Sequence, residues 1–389
     1  MTAPVDGTNR VNPKAPRALY VHVPFCVGKC GYCDFYSVVR TDAGVRAYLD
    51  ALGREMALTA AERPASFETI YIGGGTPTSL TAGELRELLD VVAPEDSFDE
   101  RVEFTVEANP GTLDGEKMRV LASHGVNRLS LGAQSLDDRR LRTLGRRHAA
   151  RDVPAALDAA REAGLVNLSL DLIFAIPGQT SDDWARDLDR VLALDVPHLS
   201  TYALTWEEHT PMGEALARGR IARASEDDEL AMYERAIDFL SAAGYEHYEI
   251  SNFARPGFRC RHNDVYWANE AYLGFGPSAV SYLGGERRRN VASVEEYAAV
   301  LAAGRSPVDF REQLSEEKRA RETAVMNLRR RRGIDLAEFA RHTGFDARTL
   351  FAGEFERMSE FGLIELDDAS VRLSRRGLFV ADTVLSELV

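Results

Sequence analysis

Residues 20–37 read YVHVPFCVGKCGYCDFYS, a β-rich run broken by Cys26, Cys30 and Cys33 on a C-x3-C-x2-C spacing. Structural disulfides use cysteines in pairs, and a closed tetrahedral metal site takes four protein ligands. Three thiolates suit another task. Soft sulfur holds iron in a sulfide core, and three thiolates bind three irons of a four-iron cube while leaving the fourth iron open to a small molecule. On spacing alone, a zinc knob from the same cysteines with His22 or Cys260 is the alternative.

Outward from that loop the chain repeats one unit: a short β-rich stretch, a turn and an amphipathic helix. The β-rich stretches are RALYVHV (17–23), ETIYIGGG (68–75), RVEFTVEAN (101–109), VNRLSLGAQ (126–134), VNLSLDLIF (166–174) and PHLSTYALT (197–205). Between them apolar residues recur at helical spacing, as in Val45, Tyr48, Leu49, Leu52 and Met56, or Trp184, Leu188, Val191 and Leu192. Consecutive β-α units imply a parallel sheet with helices outside it. Polar residues gather at the C-terminal strand ends: the cysteine loop, Gly73–Thr76, Glu107, Gln134 and Asp171. That rim is where β/α barrels build their sites, so the expected fold is α/β, a full or partial (β/α) barrel.

Four segments are expected. Residues 1–16 are a disordered lead-in, 17–250 the barrel, 251–306 an aromatic and glycine-rich connecting segment, and 307–389 a smaller winged-helix-like α+β module.

Composition bounds the function. The chain has 389 residues, 45% hydrophobic and 28% charged, with a formal net charge of −14. Such an acidic balance speaks against a chain devoted to nucleic acid or an anionic membrane. The start, MTAPVDGTNRVNPKAPRA, has no apolar run, so neither a signal peptide nor an anchor is expected. Three of the four cysteines are clustered, which fits a reducing compartment and thiolates kept for metal. A soluble cytoplasmic protein is expected.

With an aromatic, Tyr32, before its last cysteine, the loop resembles the signature of radical S-adenosylmethionine (SAM) proteins. GGGTPTSL (73–80), EANPG (107–111), LGAQS (131–135), LGRRH (144–148) and DLIFAIPGQT (171–180) resemble, in that order, its coproporphyrinogen dehydrogenase-like branch. The resemblance implies a 4Fe-4S cluster on Cys26, Cys30 and Cys33, with SAM chelating the open iron through its amino and carboxylate groups. The sulfonium then accepts an electron and splits into methionine and a 5′-deoxyadenosyl radical. Gly74 and Gly75 would let backbone approach the methionine amino group, and Thr76 would add a hydroxyl. Glu107, Gln134 and Asp171 would meet the ligand's polar groups. Arg146 would hold a carboxylate, and Tyr20 and Tyr32 would wall the site.

Two functions compete within that branch. The dehydrogenase decarboxylates two propionates of its substrate; a haem-chaperone type binds haem and passes it to client proteins. Phe35 stands where the dehydrogenase has a further cysteine, and Cys26 lies close to the start, without the dehydrogenase's preceding segment. CRHNDVYW (260–267) resembles the H-N-x-x-Y-W motif of the chaperone type. Haem binding and transfer are therefore expected over decarboxylation, and no catalytic residue is assigned. His262 would ligate haem iron, Tyr266 and Trp267 would pack on the porphyrin, and Cys260 is an alternative thiolate. A packed aromatic loop closing the barrel, with His262 bonded inside it, is the structural alternative. The implied partners are haem-accepting clients, membrane-bound ones touched peripherally, and an electron donor. NLRRRRG (327–333) offers positive charge to phosphate, but the acidic whole sets nucleic acid aside.

Overall fold

The computed structural model describes residues 15–62, 67–93 and 101–389. The expected lead-in falls outside them except for its last two residues. The chain begins with β1 (Ala18–Val23), followed by the cysteine loop, whose ends are tied by two short parallel strands, β2 (Phe25–Cys26) and β3 (Val38–Val39). Strands β4 (Thr69–Gly74), β5 (Glu103–Ala108), β6 (Arg128–Gln134), β7 (Asn167–Phe174) and β8 (His198–Ala203) are laid down in order, each parallel to the last.

Between these strands the helices start where the sequence supplies a cap. The Thr41, Asp114 and Ser225 side chains accept from backbone N–H groups of the first turn, and Thr81 and Thr180 form capping boxes with Glu84 and Asp183. Helix faces bearing Leu49, Leu52, Leu85, Leu88, Leu121, Leu157, Trp184 and Leu188 bury one face of the sheet, from Leu19 and Val21 through Ile72, Val106 and Leu131 to Leu170.

The other face is different. Between those apolar residues stand Tyr20 and His22 on β1, Tyr71 and Gly73 on β4, and Thr105 and Glu107 on β5. Beyond them come Arg128 and Ser130 on β6, then Ser169 and Asp171 on β7. Their register aligns Tyr20 with Tyr71, Tyr71 with Thr105, Thr105 with Arg128, and Ser130 with Ser169. A parallel strand buried against apolar layers on both sides reads as a continuous apolar run. The alternation here makes the inner face a polar lumen.

The sheet does not close. Beyond β8 it continues antiparallel through β10 (Asn252–Ala254) to β9 (Glu246–His247). On the other side β1 pairs with β11 (Tyr272–Phe275), followed by β12 (Val280–Leu283), β13 (Glu286–Asn290) and β14 (Val308–Gln313). The order runs β14-β13-β12-β11-β1-β4-β5-β6-β7-β8-β10-β9, with its ends unpaired to each other, so the fold is the partial form of the barrel. Two boundaries shift as a result. Residues 251–306 are not a connector, because they supply four strands of this sheet. The sheet also runs past residue 307 to Gln313.

A second apolar core starts with the helix Glu316–Leu328 and gathers Ala324, Leu328, Phe339, Phe351, Phe355, Val371 and Leu385. Its sheet joins β15 (Ile334–Asp335), β16 (Ile364–Leu366) and β17 (Ser370–Leu373) in the order β15-β17-β16, which with the preceding helices gives the winged-helix-like form. The module is fastened to the barrel by backbone: Ile250 N–H donates to Arg329 O at 3.1 Å and Arg331 N–H to Tyr248 O at 2.9 Å. No helix among the described residues is long and apolar enough to cross a membrane.

Candidate functional site

The cysteine loop is positioned by backbone bonds on both flanks. Gly31 N–H donates to Leu144 O at 3.1 Å, Met212 N–H donates to Gly31 O at 2.8 Å, and Arg40 N–H donates to Cys26 O at 3.1 Å. Cys26, Cys30 and Cys33 are half-buried free thiols. Neither proposed fourth zinc ligand is near them and uncommitted. The His22 ring bonds Tyr20 OH at 3.1 Å and Tyr36 O at 2.9 Å. Cys260 is buried and bonds Glu103, the first residue of β5, at 3.7 Å. The donor set is therefore three thiols, which fits a cluster with an open iron better than a closed zinc site.

One chain of contacts joins two of these sulfurs. The Cys26 sulfur lies 3.6 Å from Thr76 Oγ1, and that hydroxyl accepts from Asn109 Nδ2 at 2.8 Å. Asn109 Oδ1 accepts in turn from Arg146 Nη2, which also donates to Gly132 O at 2.6 Å, while Arg146 Nη1 reaches the Cys30 sulfur at 3.5 Å. Arg146 Nε is buried without a hydrogen-bond partner, and the guanidinium also lies beside the Tyr32 hydroxyl. Asn109 escaped the sequence expectations although it sits in the quoted EANPG; its position two residues after Glu107 was the available signal.

Below that rim the glycine turn carries the tightest packing. Gly74 adopts φ +107°, a left-handed conformation that L side chains resist, and a Cβ there would meet the His22 ring at 2.5 Å. A Cβ on Gly75 would lie 2.6 Å from Phe25 O. Glu107 faces this turn, accepting from Tyr71 OH at 2.7 Å and from Gly74 N–H at 3.1 Å. Burial pushes its carboxyl up to about 7, against those two hydrogen bonds. Burial likewise raises the Asp171 carboxyl, although Ser200 and Ser130 donate to it, the latter at 3.1 Å. Gln134 ends β6 at φ 62° beside a register shift, so a non-glycine residue is held left-handed at the rim. Tyr20 lies in the lumen against Tyr71, whereas Tyr32 packs against the small apolar cluster of Leu144, Ile173, Ile176, Leu204 and Met212.

The H-N-x-x-Y-W residues stand elsewhere. They form the helix Arg261–Trp267, whose start is gripped by Glu103, accepting from His262 N–H at 3.0 Å. His262 is 1% exposed, bonds Thr69 Oγ1 at 2.8 Å and Tyr266 OH at 3.1 Å, and lies beside Tyr71 with ring centroids 5.0 Å apart. Thr69 and Thr76 are seven residues apart, so this helix and the cysteine loop lie roughly 20 Å apart at opposite ends of β4. With both ring nitrogens engaged, His262 is not presented to a ligand here; it helps plug the barrel floor. Trp267 faces the C-terminal module, with the Arg329 guanidinium 4.7 Å from its ring centroid.

The family model of the radical SAM superfamily matches residues 20–191, and that of the HemN C-terminal domain matches 314–380. The "Heme chaperone HemW" of Bacillus subtilis (strain 168) is 37% identical over 373 residues, covering 95% of this chain and 98% of its own. That of Mycobacterium tuberculosis (strain ATCC 25618 / H37Rv) is 37% identical over 385 residues, covering 97% and 96%. Among solved structures, the coproporphyrinogen III oxidase HemN of Escherichia coli superposes with a TM-score of 0.82 at 24% identity, covering 96% of this chain and 90% of its own, a likeness of fold. The radical SAM family implies a 4Fe-4S cluster and SAM. By its near-full-length kinship, this chain belongs to the HemW heme chaperone family of the radical SAM superfamily.

Proposed function

We propose that the chain is a haem chaperone that carries a 4Fe-4S cluster and SAM at one end of its barrel, binds haem and delivers it to client proteins. The observation that carries this reading is the 37% identity to heme chaperones along almost the entire chain. The cysteine loop agrees with it. Phe35, two positions after Cys33, is 66% exposed and offers no further sulfur.

Cys26, Cys30 and Cys33 hold the cluster in this proposal. Gly74, Gly75, Thr76, Glu107, Gln134, Arg146 and Asp171 surround SAM, with Tyr20 and Tyr32 as walls. When bound, the pair supplies one-electron cleavage of a sulfonium. The chain's own part is placement. Arg146 fixes the rim beside Cys30, Glu107 offers negative charge to the methionine ammonium, and the glycines keep that corner free of side chains. Tyr266 and Trp267 are the proposed haem contacts, and His262 supports them from within the floor. Exposed Val39 and Phe35 give the cysteine end an apolar border suited to an electron donor. Client proteins, including membrane-bound ones met peripherally, and a cytoplasmic setting complete the proposal.

The fold likeness to HemN keeps one competitor, coproporphyrinogen decarboxylation. Anaerobic reconstitution followed by parallel assays separates the two. Haem uptake and transfer to an apo-haemoprotein without porphyrinogen turnover supports the chaperone; robust decarboxylation detected by mass spectrometry overturns it.

A further inference from the structure

The run NLRRRRG lies where the C-terminal module meets the barrel floor. Three of its four arginines are committed. Arg329 covers Trp267, Arg331 donates to Leu373 O at 3.2 Å, and Arg332 pairs with Glu338 at 3.4 Å. Arg330 differs. It is 4% exposed, its guanidinium donates to Asn327 Oδ1 at 2.6 Å, and its Nε has no partner. Burial, with Arg332 alongside, pulls its pKa down to about 10. No described carboxylate pairs with it directly; Glu338, Asp264 and Asp335 attract it only at longer range, and a depressed pKa is the expected signature of such burial.

Arg330 lines a cavity of about 710 Å³ between module and barrel. That is the size of a small-molecule site. Most carboxylates in its wall already have partners: Glu68 and Glu270 face Arg17 at 2.6 and 3.6 Å, Glu246 holds Arg259, and Glu338 holds Arg332. Six arginines and five carboxylates line it in all, and Arg261, Arg330 and Arg331 face only Asp264 among the carboxylates not already paired. Arg261 commits Nη1 to Arg101 O at 2.7 Å and stands on the barrel side, at the start of the helix Arg261–Trp267. The cavity thus has a surplus of one positive charge, with its unpaired arginines drawn from both domains, and an apolar wall made of Val265, Ala268 and the Tyr248 ring.

We propose that this cavity binds a small oxyanion, the phosphate or carboxylate group of a metabolite-sized ligand, with Arg330 as principal donor and Arg261 opposite it. A guanidinium fork suits either group. The bound anion would bridge the C-terminal module to the helix that plugs the barrel floor. The site is distinct from the cysteine end and does not depend on the haem proposal.

The test uses the full chain, thermal unfolding and calorimetric titration with inorganic phosphate or succinate, against sodium chloride at matched ionic strength. A saturable rise in Tm with phosphate alone identifies a phosphate site, and with succinate alone a carboxylate site. Arg330→Gln is expected to weaken binding about tenfold or more. Its Tm in chloride should change little, because the buried charge it removes is attracted only by carboxylates at longer range. Asp264→Asn removes the one uncommitted negative charge and is expected to tighten binding, which decides the matter even if Arg330→Gln fails to fold. Phosphate and succinate acting no differently from chloride would overturn the proposal. So would a response that survives Arg330→Gln, or an affinity untouched by Asp264→Asn.

Discussion

Asn109 Nδ2 donates to Thr76 Oγ1 at 2.8 Å, and through that bond the turn after β4 is coupled to the end of β5. The same amide accepts from Arg146, which reaches Cys30. Asn109→Ala removes donor and acceptor together and frees Arg146 from one of its anchors. SAM affinity of the reconstituted protein is expected to fall about tenfold, by anaerobic calorimetry, with iron content retained. Unchanged affinity would show that this chain of bonds does not position the ligand.

Glu107 gives a pH dependence. Its carboxyl is raised by burial to about 7, and the form that receives the methionine ammonium is the carboxylate. SAM affinity is therefore expected to fall as pH drops through about 7 and to level off above it, while Glu107→Gln binds weakly with a flat profile. Without SAM the sign reverses. The native pKa lies above the unfolded one, so Glu107's contribution to stability is fully present below the ordinary carboxylate range and is lost as pH rises through about 7. Urea melts of wild type and Glu107→Gln across that window check it: the variant gains relative stability toward alkaline pH.

His262 joins Thr69 to Tyr266 across the barrel floor. His262→Ala leaves both hydroxyls without that partner and opens a cavity, at an expected cost of about 2–4 kcal/mol in urea unfolding. SAM binding by the folded fraction should persist, since the cysteine end is a strand length away. A variant of native stability that loses its haem spectrum would instead make this imidazole the iron ligand.

Gly75 meets backbone, not side chains. A Cβ there would stand 2.6 Å from Phe25 O and 2.9 Å from Val23 O, and Phe25 immediately precedes Cys26. Gly75→Ala is expected to displace that end of β1, lower stability by about 1–3 kcal/mol and reduce the iron retained after reconstitution. Iron and sulfide analysis alongside a urea melt measures both; wild-type iron content would contradict it.

Much of this was legible in the sequence, for a physical reason. The central strands alternate apolar and polar residues because one face meets helices and the other a polar lumen, so 128–134 and 167–174 announced themselves. Strands β13 and β14 did not. ERRRN and VDFREQ are largely polar on both faces, and their pairing is carried by backbone and by pairs such as Arg311–Glu286. The rim residues followed from their places at strand ends, but Asn109 contributes through two neighbours that no linear pattern displays. A motif lists residue types without their partners, so the bonds of the His262 ring to Thr69 and Tyr266 could not be read from it.

The central claim concerns an iron left without a protein ligand. Mössbauer spectroscopy of the anaerobically reconstituted, iron-enriched chain, recorded before and after adding SAM, tests it most directly. One iron of the cluster should differ from the other three and shift when SAM is added. Four equivalent irons, or a spectrum indifferent to SAM, would contradict it.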